Sequence, residues 1–233
     1  MNDRIHEPSL HATPVLDLRP TQMTLGMGEV ARKRSAWKMQ GGKTLSEFLG
    51  HHMVPVVVGP GGRRFLIDHH HLARALHDEG IDSVFVSIVA DFRKLDANVF
   101  WNIMDFHGWT HPYDGKGRRR DYADLPKTVA DMEDAPYRSL AGELRYVGGF
   151  AKDATPFSEF VWADFLRRRI KPKELRKDLA AATDKALALA KSEDANYLPG
   201  WCAPHGAKVA PKPAETRKAA SKPDKAAKAA SGG

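Results

Sequence analysis

The sequence predicts an α/β (α+β) fold, a small mixed sheet followed by a helical C-terminal half and a disordered basic tail. Three observations predict it. Short apolar runs, Val54-Pro55-Val56-Val57-Val58 and Ser83 to Ala90, are separated by turn residues and helix-spaced segments. From Leu125 onward the pattern turns helical, with Pro136, Pro156 and Pro172 where first helical turns accept proline. The chain after Cys202 is a low-complexity Lys/Ala/Pro segment.

In chain order, residues 1–13 read as disordered, and Val15-Leu16-Asp17-Leu18 as a short strand ending at Arg19-Pro20. Leu25, Val30, Ala31 and Trp37 recur at helical spacing up to Met39, where Gly41-Gly42 stops the helix. Thr44 and Glu47 have the spacing of a capping box for a short helix through Leu49. Val54–Val58 reads as a buried strand, Gly59-Pro60-Gly61-Gly62 as a turn, and Arg64-Phe65-Leu66-Ile67 as a second strand. His69 to Glu79 is helical through Leu72, Ala75 and Leu76, with Gly80 as C-cap. Ser83–Ala90 is a third strand and Phe92–Phe106 a helix. Gly108–Asp124 is a long polar and aromatic loop, of a length that is either functional or disordered. Helices are expected at Leu125–Met132, Tyr137–Val147, Phe157–Ile170 and Lys173–Lys191. The implied organisation is an α/β domain over 14–110, a helical extension packed on it over 111–202, and the tail over 203–233.

Length and composition fit this plan. The 233 residues are 42% hydrophobic, with five Trp and ten Phe to fill a core. No apolar run approaches a membrane span, and the N-terminus lacks a secretory h-region. Cys202 is the only cysteine, which excludes an internal disulfide. A cytoplasmic protein is expected. The net charge is +7, but the tail holds six Lys and one Arg against Glu215 and Asp224. The rest is therefore nearly neutral. Such a tail either binds nucleic acid weakly and non-specifically or is simply solvated.

The candidate site is Asp68-His69-His70-His71. A helix that begins where a strand ends aims free N–H groups and its dipole at an anion, above all phosphate. Asp68 can cap the helix, hold a metal or orient an imidazole. Neighbouring helical residues point about 100° apart, so the three histidines cannot all face the core. A zinc site has little support, because His107 and His111 are separated by Gly108. His111-Pro112-Tyr113-Asp114 is either a functional loop over the cleft or a plain turn with Trp109 beneath. Lys116, Arg118, Arg119 and Arg120 are either an anion grip or a solvated run. Phe157, Phe160, Val161 and Phe165 are expected in the core, with Glu159 and Asp164 facing outward.

Leu18-Arg19-Pro20-Thr21-Gln22, the strand pair around Pro55, and Ile67 through Leu76 resemble the putative ParB-like nuclease family. Gly108 to Pro112, Pro136 to Ala141 and Pro156 to Phe165 also resemble it. The resemblance implies a ParB/sulfiredoxin-type sheet. In the wider superfamily, partitioning proteins bind CTP, sulfiredoxins use ATP and kinases phosphorylate free serine, with phosphates at the start of the helix after this strand. The serine kinases carry Asp-Gly-His-His-Arg there. Asp68, His70 and His71 match, His69 replaces the glycine and Leu72 replaces the arginine. Arg74, Arg63 or Arg64 are the candidates to compensate. No cysteine lies near the motif, so sulfiredoxin chemistry is not implied. Gln22 resembles the Pro-x-Gln element of partitioning proteins or is a plain capping amide. Glu29 takes the place of a general base in such kinases or is a solvent-facing glutamate beside Arg32 and Lys33.

The expected activity is binding of a phosphate-bearing ligand, a nucleoside di- or triphosphate included, with Mg²⁺ at Asp68. Phosphoryl transfer or phosphodiester hydrolysis would follow. Asp68, His70, His71 and Glu29 are the expected catalytic residues; Gln22, His69, Leu72, Arg74 and His111 the expected binding residues. The alternative is a non-enzymatic, DNA-associated nucleotide-binding protein.

Overall fold

The computed structural model describes residues 11–39 and 50–202. The expected disorder of residues 1–10, the Thr44–Leu49 helix and the basic tail lie outside the described residues. The strands are β1 (His11–Pro14), β2 (Leu18–Pro20), β3 (Thr24–Leu25), β4 (Val54–Val58), β5 (Arg64–Leu66), β6 (Ser83–Asp91) and β7 (Glu133–Asp134). The helices are α1 (Met27–Lys38), α2 (His70–Asp78), α3 (Ala97–Phe106), α4 (Pro136–Tyr146), α5 (Ser158–Arg167), α6 (Pro172–Lys177) and α7 (Leu179–Ala190).

The expected mixed α/β architecture is present. Five strands form one sheet in the order β1-β6-β4-β5-β2. β4 pairs antiparallel with β5 and parallel with β6, while β2 is parallel to β5. Gly61 and Gly62 turn the β4–β5 connection at φ of 70° and 74°, a region glycine enters without strain. Alternation along the strands separates two faces. Val54, Val56, Leu66, Val84 and Val86 pack under Leu72, Ala73 and Leu76 of α2. Val57 and Phe65 face the other way, onto Phe100 and Met104 of α3. β3 and β7 form a separate parallel pair.

A second core joins α4, α5 and α7 through Tyr137, Leu140, Leu144, Trp162, Phe165, Leu166 and Ala186. The sheet core thus takes in residues up to Val129, and the helical core starts at Tyr137. No described helix is long and apolar enough to cross a membrane.

Several elements differ from expectation. Residues 11–14 are a strand because they pair with β6, from His11 opposite Val86 to Pro14 opposite Ser83. Val15–Asp17 is a 3-10 turn, and the strand starts at Leu18. The helix expected from Phe92 starts at Ala97. Asp96 caps it, accepting from the Asn98 and Val99 amides at 3.0 Å, while the Phe92 amide still bonds Val58 O at 2.6 Å. Leu125–Met132 holds only a 3-10 turn at Val129–Asp131, closed by a Thr128–Asp131 capping box. The expected helix over 173–191 is two helices, because Asp178 leaves helical conformation (φ −156°) and caps the second.

Candidate functional site

The strand-to-helix junction is built by one unusual residue. His69 takes φ 63°, ψ 24°, the left-handed region. This is the position where the resembled motif has glycine, and histidine tolerates the left-handed region better than most side chains. Asp68 does not cap α2. Its Oδ1 accepts from the adjacent His69 amide at 2.6 Å, and no side chain caps the helix. The amides of His70, His71 and Leu72 therefore have no intrahelical partner and no cap.

The three histidines do three different things. His69 is exposed, its Nδ1 3.2 Å from Met53 O. His70 is buried, and the Thr21 amide donates to its Nε2 at 3.3 Å. That bond makes Nε2 the acceptor and leaves the ring proton of the neutral imidazole on Nδ1. Burial lowers its proton affinity to about 3. His71 accepts from the Gly26 amide at Nε2 (3.2 Å), so it too is neutral with its proton on Nδ1. Burial, then the charge of Arg138, pushes its pKa well below the usual histidine value. Its contact with Glu29 Oε2 at 3.7 Å is accordingly not an ion pair in this state.

The expected binding residue His69 turns its ring to Met53 O, whereas Asp68, His70 and His71 border a cavity of about 470 Å³ that His69 does not line. Its polar wall is Gln22, Asp68, His70, His71, Arg138, Ser158 and Glu159, and its aromatic wall Trp109, Phe157 and Phe160. Gln22 is buried and spends its amide Nε2 on Thr24 O (3.1 Å), leaving its carbonyl oxygen available. Phe157 also sits in the left-handed region, at φ 58°.

The sequence-based reading missed Arg138 and Glu159. The Arg138 side chain is 7% exposed and pairs with Glu159, while Glu29 Oε2 lies 3.5 Å away. Arg145 holds the far oxygen of Glu159 at 2.5 Å. Burial lowers the proton affinity of Arg138, opposed by the two carboxylates, and an arginine stays charged in such a setting. Its Nε and Nη1 have no hydrogen-bond partner, and neither does Glu29 Oε2. A sequence signal existed. Glu159 keeps the register of the buried α5 stripe Trp162, Ala163 and Leu166, and Arg138 that of Ala141 and Gly142. A charge in a buried stripe is rarely ornamental.

The remaining candidates are placed as follows. Leu72 is 4% exposed in the sheet core, so it can offer a ligand only its backbone amide. Arg74 is a clamp. It bonds Asp78 and the carbonyls of Val129, Ala130 and Met132, away from the cavity. Arg63 and Arg64 do not border the cavity either. Glu29 is neither solvent-facing nor in the cavity wall, but turned toward His71 and Arg138. His111 stacks between Tyr113 and Phe160 at 4.4 and 4.2 Å, beside a neighbouring hollow that shares Arg138 and Phe160 with the first. Burial, with the charge of Arg138, lowers its pKa to about 4. No group of three or more His, Cys, Asp or Glu able to hold a metal occurs among the described residues. Of the two carboxylates in the wall, Glu159 is committed to arginines, so Asp68 alone does not make a resident metal site.

Comparison with known proteins agrees with this architecture. Residues 11–168 match the model of a family described as putative ParB-like nuclease. The crystal structure of protein Atu1540 from Agrobacterium tumefaciens is similar, at 49% identity and a TM-score of 0.79. That match covers 84% of this chain and 99% of the other. No curated protein matches.

Proposed function

Since the chain belongs to the putative ParB-like nuclease family, we propose that the junction cavity binds a phosphate-bearing ligand, with phosphodiester hydrolysis or phosphoryl transfer as its chemistry. One observation carries the reading. An uncapped helix start and the buried, charged side chain of Arg138 border one hollow. Free helix amides and a guanidinium both bind phosphate oxygens. Arg138 takes the part of the arginine that Leu72 displaces from the motif, reaching the same hollow from α4.

The roles follow from which atoms remain free. The amides of His70, His71 and Leu72 and the guanidinium of Arg138 hold phosphate. His70 is a positioning residue, since its ring is buried and its Nε2 is taken by the Thr21 amide. His71 offers its Nδ1–H. Asp68 keeps one oxygen free to orient an attacking water or hydroxyl. Trp109, Phe157 and Phe160 provide a flat apolar wall for a base. With neutral imidazoles the wall sets Arg138 against Asp68 and Glu159, so a polyphosphate would enter with its own divalent counter-ion.

The test is a thermal-shift series with ATP, ADP, CTP and GTP, with and without Mg²⁺ or Mn²⁺, paired with hydrolysis of bis(p-nitrophenyl) phosphate. Wild type should gain melting temperature with at least one nucleotide. Asp68→Asn should keep the unliganded melting temperature and lose hydrolysis by about 10²-fold or more. The reading fails if no nucleotide shifts the wild type and no diester is cleaved.

A further inference from the structure

A second cleft, of about 410 Å³, lies beside the β4–β5 turn and the segment 122–127. Phe65 borders it, while Ile67, two residues on along the same sheet face, borders the junction cavity. Its apolar side is Phe65, Phe100, Trp101 and Tyr122. Trp101 and Tyr122 stack with centroids 4.8 Å apart and 5° between planes. Arg19, Arg63 and Lys127 border the same cleft and an adjoining hollow of about 330 Å³, where Arg64 joins them.

Most of the described arginines are paired with carboxylates. Arg32, Arg34, Arg74, Arg93, Arg138 and Arg145 are all in ion pairs. Arg19, Arg63, Arg64 and Lys127 form none among the described residues, and Arg64 Nε is buried without an acceptor. Asp17 is the one carboxylate bordering either hollow. Cations that converge without counter-charge repel one another and concentrate anions from solution. An aromatic wall beside them selects an anion that carries a flat apolar group.

We propose that this cleft is a second binding site, for a nucleotide unit. The base lies against the Trp101–Tyr122 wall and the phosphate on Arg19, Arg63 and Lys127. Two guanidinium forks suit phosphate oxygens, and stacking tolerates any base. The unit is either a free nucleotide or part of a single strand. The site stands apart from the junction cavity and does not depend on it.

The test measures binding to the full-length protein by calorimetry, with AMP, a six-residue single-stranded oligothymidylate and inorganic phosphate. The double variant Arg63→Glu/Lys127→Glu should bind AMP or the oligonucleotide at least about tenfold more weakly at an unchanged melting temperature. It keeps the basic tail, so the loss reports the cleft. Tyr122→Ala should weaken binding about fivefold or more, and Asp68→Asn should leave it intact. Binding of AMP identifies a free nucleotide as ligand, and binding of the oligonucleotide alone identifies a strand. If the double variant unfolds, Lys127→Glu alone should lower the log-affinity against log-salt slope by about one. Equal affinity for inorganic phosphate, loss of all binding in Asp68→Asn, or charge reversal without effect overturns the proposal.

Discussion

Histidines 70, 71 and 111 are held neutral by burial, with pKa values of about 3 for His70 and about 4 for His111. The unfolded chain would bind these protons near pH 6.5, the folded chain only well below it. Stability contributed by neutrality is therefore full above about pH 6.5 and is lost as pH falls toward the folded values. His70 and His111 should each remove about 2 kcal/mol between pH 7 and pH 5. His111→Phe keeps the ring stack and deletes the titration. Urea unfolding should then show the pH 7 to pH 5 loss shrinking by about 2 kcal/mol, and an unchanged loss would refute the assignment. Arg138 is a second residue-scale case. Arg138→Ala leaves Glu29 without its arginine and Glu159 with Arg145 alone, and should destabilise by about 3–5 kcal/mol. Adding Glu159→Gln should recover part of that, as a double-mutant cycle would register.

Elements meet at the site through close backbone approaches. Gly26, at the start of α1, lends its amide to His71 and lies against α4. A Cβ there would sit 2.9 Å from Ser139 N and 3.1 Å from Arg138 C, both backbone atoms that cannot swing aside. Gly26→Ala should therefore part α1 from α4, lower stability by about 1–3 kcal/mol and weaken any ligand held by Arg138. Gly28→Ala, whose nearest atom is the Ser139 hydroxyl at 3.4 Å, should be far milder. At the other end of the chain, Asp178 accepts from the Ala181 amide at 3.0 Å. Asp178→Ala should cost about 1 kcal/mol in chemical denaturation, with no effect on ligand binding.

At the scale of the whole molecule, two cores meet where the cavity lies. The sheet half supplies Gln22, Asp68, His70 and His71, and the helical half Arg138, Phe157, Phe160 and Glu159. The described core is complete by Trp201, whose bridge to Phe150 closes the helical half. A version ending at Cys202 should keep its melting temperature within a few degrees. It should also lose the salt-sensitive, sequence-independent polyanion binding expected of a segment that holds most of the +7 charge. A gel shift at two salt concentrations reads this directly.

Local chemistry made much of this legible in the sequence. Valine runs and glycine turns marked β4 and β5, helical spacing marked α1, α2 and α4, and the Asp68–His71 junction stood out because a helix start after a strand leaves amides without intrahelical partners. The sequence also exposed the motif position now seen at φ 63° in His69. It could not show that the Thr21 and Gly26 amides occupy the Nε2 atoms of His70 and His71, or that Arg138 reaches the same hollow from 68 residues away. Those are through-space contacts between segments whose separation in the chain carries no information about their distance. Burial, which decides charge state and which atoms remain free, exists only once the two cores have packed.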